Sequence, residues 1–105
     1  MFMVVKNSNT PIKKISDDKK SLKEIVNLDE KVSLNVAEVI DYHEKTTAAY
    51  NRIYYVSAGV MKLSINGQEI QLQKGDACFV EKGMIFELAG TFIVIIVSQP
   101  PLHLL

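Results

Sequence analysis

The chain has 105 residues, of which 48% are hydrophobic, and its twelve basic residues balance its twelve acidic ones. This length fits one domain, and the hydrophobic fraction is too high for a disordered chain. The neutral balance argues against a basic surface for nucleic acid, and the longest apolar run, from Phe92 to Val97, is too short to span a membrane. We therefore expect a single domain, residues 1–105, that binds neither nucleic acid nor a membrane.

The N-terminus and the cysteine content bear on the location of the protein. The apolar segment at residues 1–5 has no basic region before it and no small-residue cleavage site after it, so it does not resemble a secretory signal. The single cysteine, Cys78, cannot form an intrachain disulfide, and nothing near it in sequence, such as a Cys-x-x-Cys motif, would activate it. These features favour the reducing cytoplasm and the interpretation of Cys78 as a small buried hydrophobe.

The first thirty residues are the more polar part of the chain, and they leave two interpretations open. Ser21 and Glu24 match a helix capping box, in which serine is the N-cap and glutamate follows three residues later. The apolar face of a short peripheral helix would then consist of Leu22, Ile25, Val26 and Leu28. A solvated turn is the alternative.

From residue 31 onward the pattern changes to short strands separated by turns. Val32, Leu34 and Val36 alternate with small or polar residues, which is typical of a half-buried strand. Asn66 and Gly67 form the strongest hairpin signal, because both residues tolerate the positive φ of a type I′ turn. Breaks or turns are also predicted at residues 58–59, 74–76, 81–83 and 89–90.

The last predicted strand, residues 91–98, is almost wholly apolar and should be buried on both faces. Pro100 and Pro101 end it. Short strands with regular turn signals predict an all-β sandwich or barrel, whose core spans about residues 31–99.

Two segments on either side of the Asn66-Gly67 turn have the spacing of a known pair of motifs. Residues 52–59 have the shape of the end of the first motif, and residues 75–83 have the spacing of the start of the second. In these features, over residues 37–90, the chain resembles the cupin family. The resemblance implies a jelly-roll barrel (a double-stranded β-helix) similar to the RmlC-like cupins, in which three histidines and a glutamate hold one metal ion.

None of the four ligand positions implied by this resemblance carries a metal ligand. Lys45 and Thr47 fall near the two-histidine positions, Arg52 falls at the glutamate position, and Phe86 falls at the last histidine position. A divalent cation prefers imidazole or carboxylate ligands, whereas arginine is permanently positive and phenylalanine offers no donor. We therefore expect no metal and no cofactor, and an interior that suits an anion.

Arg52 is the leading candidate for ligand binding. Inside the barrel it requires either a carboxylate, such as Glu44 or Glu87, or a bound anion. A shift of one residue in the register would instead turn it to solvent, so the three alternatives stay open. The predicted apolar lining consists of Phe79, Met84 and Phe86.

His43 and Tyr54 are the candidate catalytic residues. His43 lies two residues before Lys45 and shares its face on a regular strand, so it is a candidate base, a shifted metal ligand or a histidine at the barrel mouth. Tyr54 has the parity of Arg52 and is a candidate acid, as the resemblance to metal-free cupin epimerases implies. Packing is the alternative role for both residues.

Four functions are compatible with these residues, and whether the protein is an enzyme stays open. The first is binding of a small anionic or sugar-like molecule without a metal, for which the candidate residues are Arg52, His43, Tyr54, Phe86, Lys45 and Thr47. The second is a metal-free sugar isomerase or epimerase, with His43 as base and Tyr54 as acid. The third is a metal-binding cupin whose displaced ligands are His43, Glu44 and Glu87.

The fourth function is an interaction module with a filled barrel. The apolar strand at residues 92–97, together with residues 1–5 and 100–105, would cover a neighbouring subunit. Because cupins commonly pair their sheets, the resemblance also implies a homodimer.

Overall fold

A computed structural model of the chain describes residues 4, 6, 12–15, 19–28 and 32–99. Its seven strands are β1 Ile12–Ile15, β2 Lys20–Leu28, β3 Val32–Thr47, β4 Asn51–Ile65, β5 Gln68–Gln73, β6 Ala77–Val80 and β7 Ile85–Gln99. They form one antiparallel sheet in the order β1-β2-β3-β7-β4-β5, with β6 paired to β4. The predicted all-β class is confirmed. The described residues contain no helix that is long and apolar enough to cross a membrane.

The short helix predicted near residues 21–28 is wrong, because this segment is strand β2. β2 pairs with β3 and places Leu22 opposite Ala37, and both side chains are buried in the core. A bulge between Glu24 and Val26 maintains the pairing of the rest of the strand. An isolated short helix is marginal in water, so pairing with the sheet overrides the local capping signal.

The turns between β4, β5 and β6 confirm the local predictions. Asn66 and Gly67 have φ angles of 52° and 73°, as a type I′ hairpin requires. At the next turn Gly75 has a φ of 93°, and the Gln73 backbone N–H donates to the Asp76 carboxylate at 2.9 Å. These turns depend on the residues that form them, which is why the sequence predicts them.

The breaks predicted at Gly59 and Gly90 are wrong, because β4 and β7 run through these positions as continuous strands. A Cβ at Gly59 would lie 2.2 Å from the Thr91 carbonyl oxygen, and a Cβ at Gly90 would lie 2.5 Å from the Val60 carbonyl oxygen. The two glycines therefore allow the backbones of neighbouring strands to approach closely, and they do not reverse the chain.

Strand β3 changes the face that it presents to the interior. Its buried residues have odd numbers from Ser33 to Val39, whereas its half-buried residues have even numbers from Tyr42 to Thr46. The pairing with β7 shifts between Val39 and Tyr42, where Asp41 has a φ of 47°. This bulge reverses the parity. At the start of β3 the buried face carries small and polar residues, and the valine–leucine row lies on the other face.

Strand β7 lies between β3 and β4, and its two faces differ in burial. Its inner side chains Phe92, Val94 and Ile96 are buried in the core. Its outer side chains are only half-buried: Ile93, Ile95 and Val97. The prediction that this strand is buried on both faces is therefore wrong for the outer face.

Candidate functional site

The barrel contains a cavity of about 190 Å³. Its apolar lining consists of Leu22, Ala37, Val39, Leu88, Phe92, Val94 and Ile96. Its polar lining consists of Lys20, Tyr42, Glu44, Arg52 and Tyr54. A wider hollow of about 400 Å³ beside the β4–β5 turn has a mostly exposed lining, so the interior cavity is the better candidate site.

Arg52 lines the cavity from β4, where it lies between Val80 of β6 and Ser98 of β7. It is only 9% exposed, which excludes the solvent-facing alternative. Its Nη1 donates to the Tyr54 hydroxyl at 3.1 Å, and its guanidinium carbon lies 5.7 Å from the centre of the Phe86 ring. Within the described residues Arg52 Nε has no hydrogen-bond partner.

The two carboxylates considered as partners of Arg52 are engaged elsewhere. Glu44 lies 3.5 Å from Lys20 Nζ and accepts a hydrogen bond from the Tyr42 hydroxyl at 2.5 Å. Glu87 lies 2.9 Å from the His43 ring, on the outer face. Among the residues that the structure describes, Arg52 therefore has no internal ion pair.

Tyr54 is the polar group next to Arg52 in the lining, and it is 3% exposed. Its ring packs edge-on against Phe86, with 6.2 Å between the ring centres. Burial raises the pKa of Tyr54 above its ordinary value of 10.0, and the positive charge of Arg52 opposes this effect. Tyr54 therefore stays neutral at physiological pH. Because its oxygen accepts from Arg52, its own proton remains available to a ligand.

A second polar group of the lining, which we call the mouth cluster, consists of Lys20, Tyr42 and Glu44. The Lys20 and Glu44 side chains are 20% and 27% exposed, so both reach water. Lys20 Nζ also lies 5.4 Å from the centre of the Tyr42 ring. Sequence reasoning missed Lys20, which precedes the segment predicted as a helix. The inward positions of Tyr42 and Glu44 depend on the bulge at Asp41, and aspartate tolerates the positive φ of a turn as well as that of a bulge, so its presence alone does not predict the bulge.

The structure does not bring the other predicted site residues into the cavity. His43, Lys45 and Thr47 lie on the outer face of β3, and the His43 side chain is 63% exposed. The interior positions that motif spacing implies for Lys45 and Thr47 are wrong, because the bulge at Asp41 reverses the parity of the strand. The wall of the barrel therefore separates His43 from Tyr54.

The predicted apolar lining is only partly confirmed. Phe86 is buried beside Arg52, and Met84 packs against the core, but Phe79 is exposed. Cys78 of β6 is half-buried, and burial raises the pKa of its thiol. This agrees with its interpretation as a small hydrophobe.

Sequence reasoning also missed a row of buried polar side chains beside Arg52. Ser33 pairs with Ser98, Ser98 pairs with Arg52 on the next strand, and Asn35 donates to Ser33 Oγ at 3.5 Å. All four side chains are buried, and we call them the polar row. Among the described residues, three of their atoms have no hydrogen-bond partner: Asn35 Oδ1, Ser98 Oγ and Arg52 Nε. Serine and asparagine in a strand ordinarily indicate the solvent face, so no local signal marks this row.

The residues of the cavity do not fit the metal ion that the cupin motifs imply. Glu44 is the one carboxylate among the lining residues that the structure describes, and Lys20 compensates its charge. Arg52 adds a permanent positive charge, which repels a divalent cation. Within the described part of the chain, no three histidine, cysteine, aspartate or glutamate side chains come together.

Solved structures share this fold, although the sequence matches no family model and no curated protein. KdgF from Halomonas sp. is 13% identical with a TM-score of 0.84, over 93% of this chain and 94% of that one. An RmlC-like cupin from Shewanella frigidimarina is 16% identical with a TM-score of 0.80, over 90% and 86% of the two chains. The polyketide cyclase RemF from Streptomyces resistomycificus is 17% identical with a TM-score of 0.79, over 96% and 83%.

These similarities show that the barrel is a cupin jelly roll, and the predicted fold is confirmed. At such low identity they carry no activity over to this chain. The function must therefore be argued from the cavity itself.

Proposed function

We propose that the barrel binds a small anionic molecule, with Arg52 as the anchor for its negative charge. The proposal rests on the burial of Arg52 in a cavity where, among the described residues, no carboxylate pairs with it. A buried cation is unfavourable unless a counter-charge joins it, and the planar fork of arginine matches a carboxylate or phosphate. Tyr54 would add a second donor to the same anion.

The catalytic and metal alternatives have less support. An acid–base pair of His43 and Tyr54 needs both groups on one side of the barrel wall, and His43 faces outward. A displaced metal site needs three convergent ligands, whereas Glu44 faces the cavity and Glu87 lies beside His43 outside. Binding without catalysis is therefore the function that the geometry supports best.

Thermal-shift and calorimetric titrations test this proposal with a panel of small carboxylates, sugar phosphates and nucleotides. At least one anion class should raise the melting temperature, because a ligand that binds only the folded state stabilises it. Arg52→Met should abolish the response, whereas Lys62→Met, which removes an exposed positive charge from the same strand, should leave it unchanged. No response across the panel, or a response that survives Arg52→Met, would contradict the proposal.

We also propose that the outer face of the barrel binds a second copy of the chain. Adjacent apolar side chains cross β3, β7, β4 and β6 on this face, which we call the outer apolar face: Leu34, Val36, Ile53, Tyr55, Phe79, Ile95 and Val97. Apolar patches of this kind mark interaction surfaces. Because none of these residues is charged, an identical face meets it without repulsion, as a two-fold contact requires.

The expected contribution of the chain ends to this contact stays a prediction. Residues 1–5, apart from Val4, and residues 100–105 lie outside the described residues.

A further inference from the structure

We infer that the ligand of the cavity is a small monocarboxylate with an apolar body, an inference that rests on the proposed function of anion binding. The charge, the lining and the size of the cavity each support one part of it.

The charge of the lining favours a ligand with a single negative charge. Among the described residues, the charged members of the lining are Lys20, Glu44 and Arg52. Lys20 and Glu44 lie 3.5 Å apart and compensate each other, so the uncompensated charge of this set is that of Arg52. A carboxylate neutralises it, whereas a phosphate monoester near its second ionisation brings an excess negative charge into the barrel.

The composition of the lining favours an apolar body. Seven of the twelve described lining residues are apolar, and those on β3 are Ala37 and Val39. Phe92 and Val94 lie beside them on β7, as the pairs Val39–Phe92 and Ala37–Val94. A ligand hydroxyl between these side chains would lose its hydrogen bonds to water without replacement, which is unfavourable. The lining therefore disfavours a polyhydroxylated sugar.

The size of the cavity limits the ligand to a small metabolite. A cavity of roughly 150 Å³ is enough to hold benzene. The volume of about 190 Å³ therefore admits a molecule slightly larger than benzene. Nucleotides and disaccharides are too large to enter without opening the barrel.

The test compares four probes that share a six-carbon frame, by isothermal titration calorimetry at neutral pH. Hexanoate has both the carboxylate and the apolar body, gluconate replaces the apolar body by a hydroxylated one, hexyl phosphate changes the anion, and 1-hexanol removes the charge. We expect hexanoate to bind most tightly and each of the others to bind at least about tenfold more weakly.

Two variants connect this preference to Arg52 and Tyr54. Arg52→Met should weaken hexanoate binding at least about tenfold, while the surface control Lys62→Met should not. Tyr54→Phe retains the ring beside Phe86 and should weaken binding less, which keeps the test informative if Arg52→Met does not fold. Nuclear Overhauser contacts between the hexanoate methyl group and Phe92 or Val94 should place the chain of the ligand in the cavity.

The outcomes separate the inference from the proposed function. If gluconate or hexyl phosphate binds more tightly than hexanoate, and Arg52→Met abolishes that binding, the inference is overturned while anion binding stands. If no anion binds, or 1-hexanol binds as tightly as hexanoate, both are overturned.

Discussion

At the scale of single residues, the polar row is the least favourable part of the barrel interior. Three of its atoms lack hydrogen-bond partners among the described residues. Each such atom costs about 1–3 kcal/mol, which is large beside a typical domain stability of about 5–15 kcal/mol. Such groups call for an explanation in a native protein, and of the three only Arg52 Nε belongs to a residue that lines the cavity, where a bound anion would be its partner.

Ser98 allows this cost to be measured directly. Its hydroxyl oxygen is fully buried and, in the described part of the chain, unpartnered. Folding removes the Ser98 hydroxyl from water without giving it a hydrogen bond in exchange. Ser98→Ala removes this group, so the free energy of unfolding should rise by about 1 kcal/mol. Urea denaturation followed by circular dichroism measures the change.

Ser57 is the matched control for this prediction. Its hydroxyl donates to the Ile93 carbonyl oxygen at 3.2 Å, so Ser57→Ala should lower the free energy of unfolding by about 1 kcal/mol. Changes of opposite sign support the reading of the polar row. A similar loss in both variants would mean that the Ser98 hydroxyl has a partner, such as a buried water molecule.

At the scale of strands, the sequence predicts the turns whose conformation depends on their own residues. It does not predict features that depend on contacts with an adjacent strand. Asn66 and Gly67 specify a hairpin through their own φ preferences. Gly59 and Gly90 resemble turns in the sequence, because glycine suits both a turn and a close approach. The carbonyl oxygens of the adjacent strands, which leave no room for a Cβ at either position, show that close approach is the reason for both glycines. The bulge at Asp41 is hidden in the same way, and with it the inward face of β3.

A pair of glycine substitutions separates backbone strain from close approach. Gly59 and Gly75 both have positive φ, but a Cβ at Gly59 would lie 2.2 Å from the Thr91 oxygen, and a Cβ at Gly75 meets nothing within 4 Å. Gly75→Ala should therefore lower the free energy of unfolding by about 1–2 kcal/mol, from φ alone. Gly59→Ala should lower it by more than about 3 kcal/mol, because β4 and β7 must also separate. Equal losses in urea denaturation would contradict the role of Gly59 in strand packing.

At the scale of the whole molecule, only part of the candidate site could be predicted from the sequence. Motif spacing predicts that Arg52 and Phe86 face the interior of the barrel, and Tyr54 shares the parity of Arg52 on β4. The structure buries all three side chains next to one another. The mouth cluster and the polar row could not be predicted. They are assembled by pairing of β2 with β3 and of β3 with β7, between residues far apart in sequence. His43 was misplaced for the same reason.

The outer apolar face leads to a prediction about assembly. The wild-type chain should sediment as a dimer at micromolar concentration, because association would remove the apolar side chains of several strands from water, which is favourable. Phe79→Asp places a charge in this face without a partner and should raise the dissociation constant at least about a hundredfold.

Ile85 supplies the matched control, because Ile85 and Phe79 are both 61% exposed. Ile85 begins β7, and Glu87 separates it along the strand from the outer apolar face. Ile85→Asp introduces the same charge and should leave the dimer intact. Sedimentation equilibrium measures both constants, with circular dichroism to establish that each variant is folded. A monomeric wild-type chain, or equal weakening by the two substitutions, would show that copies do not meet through this face.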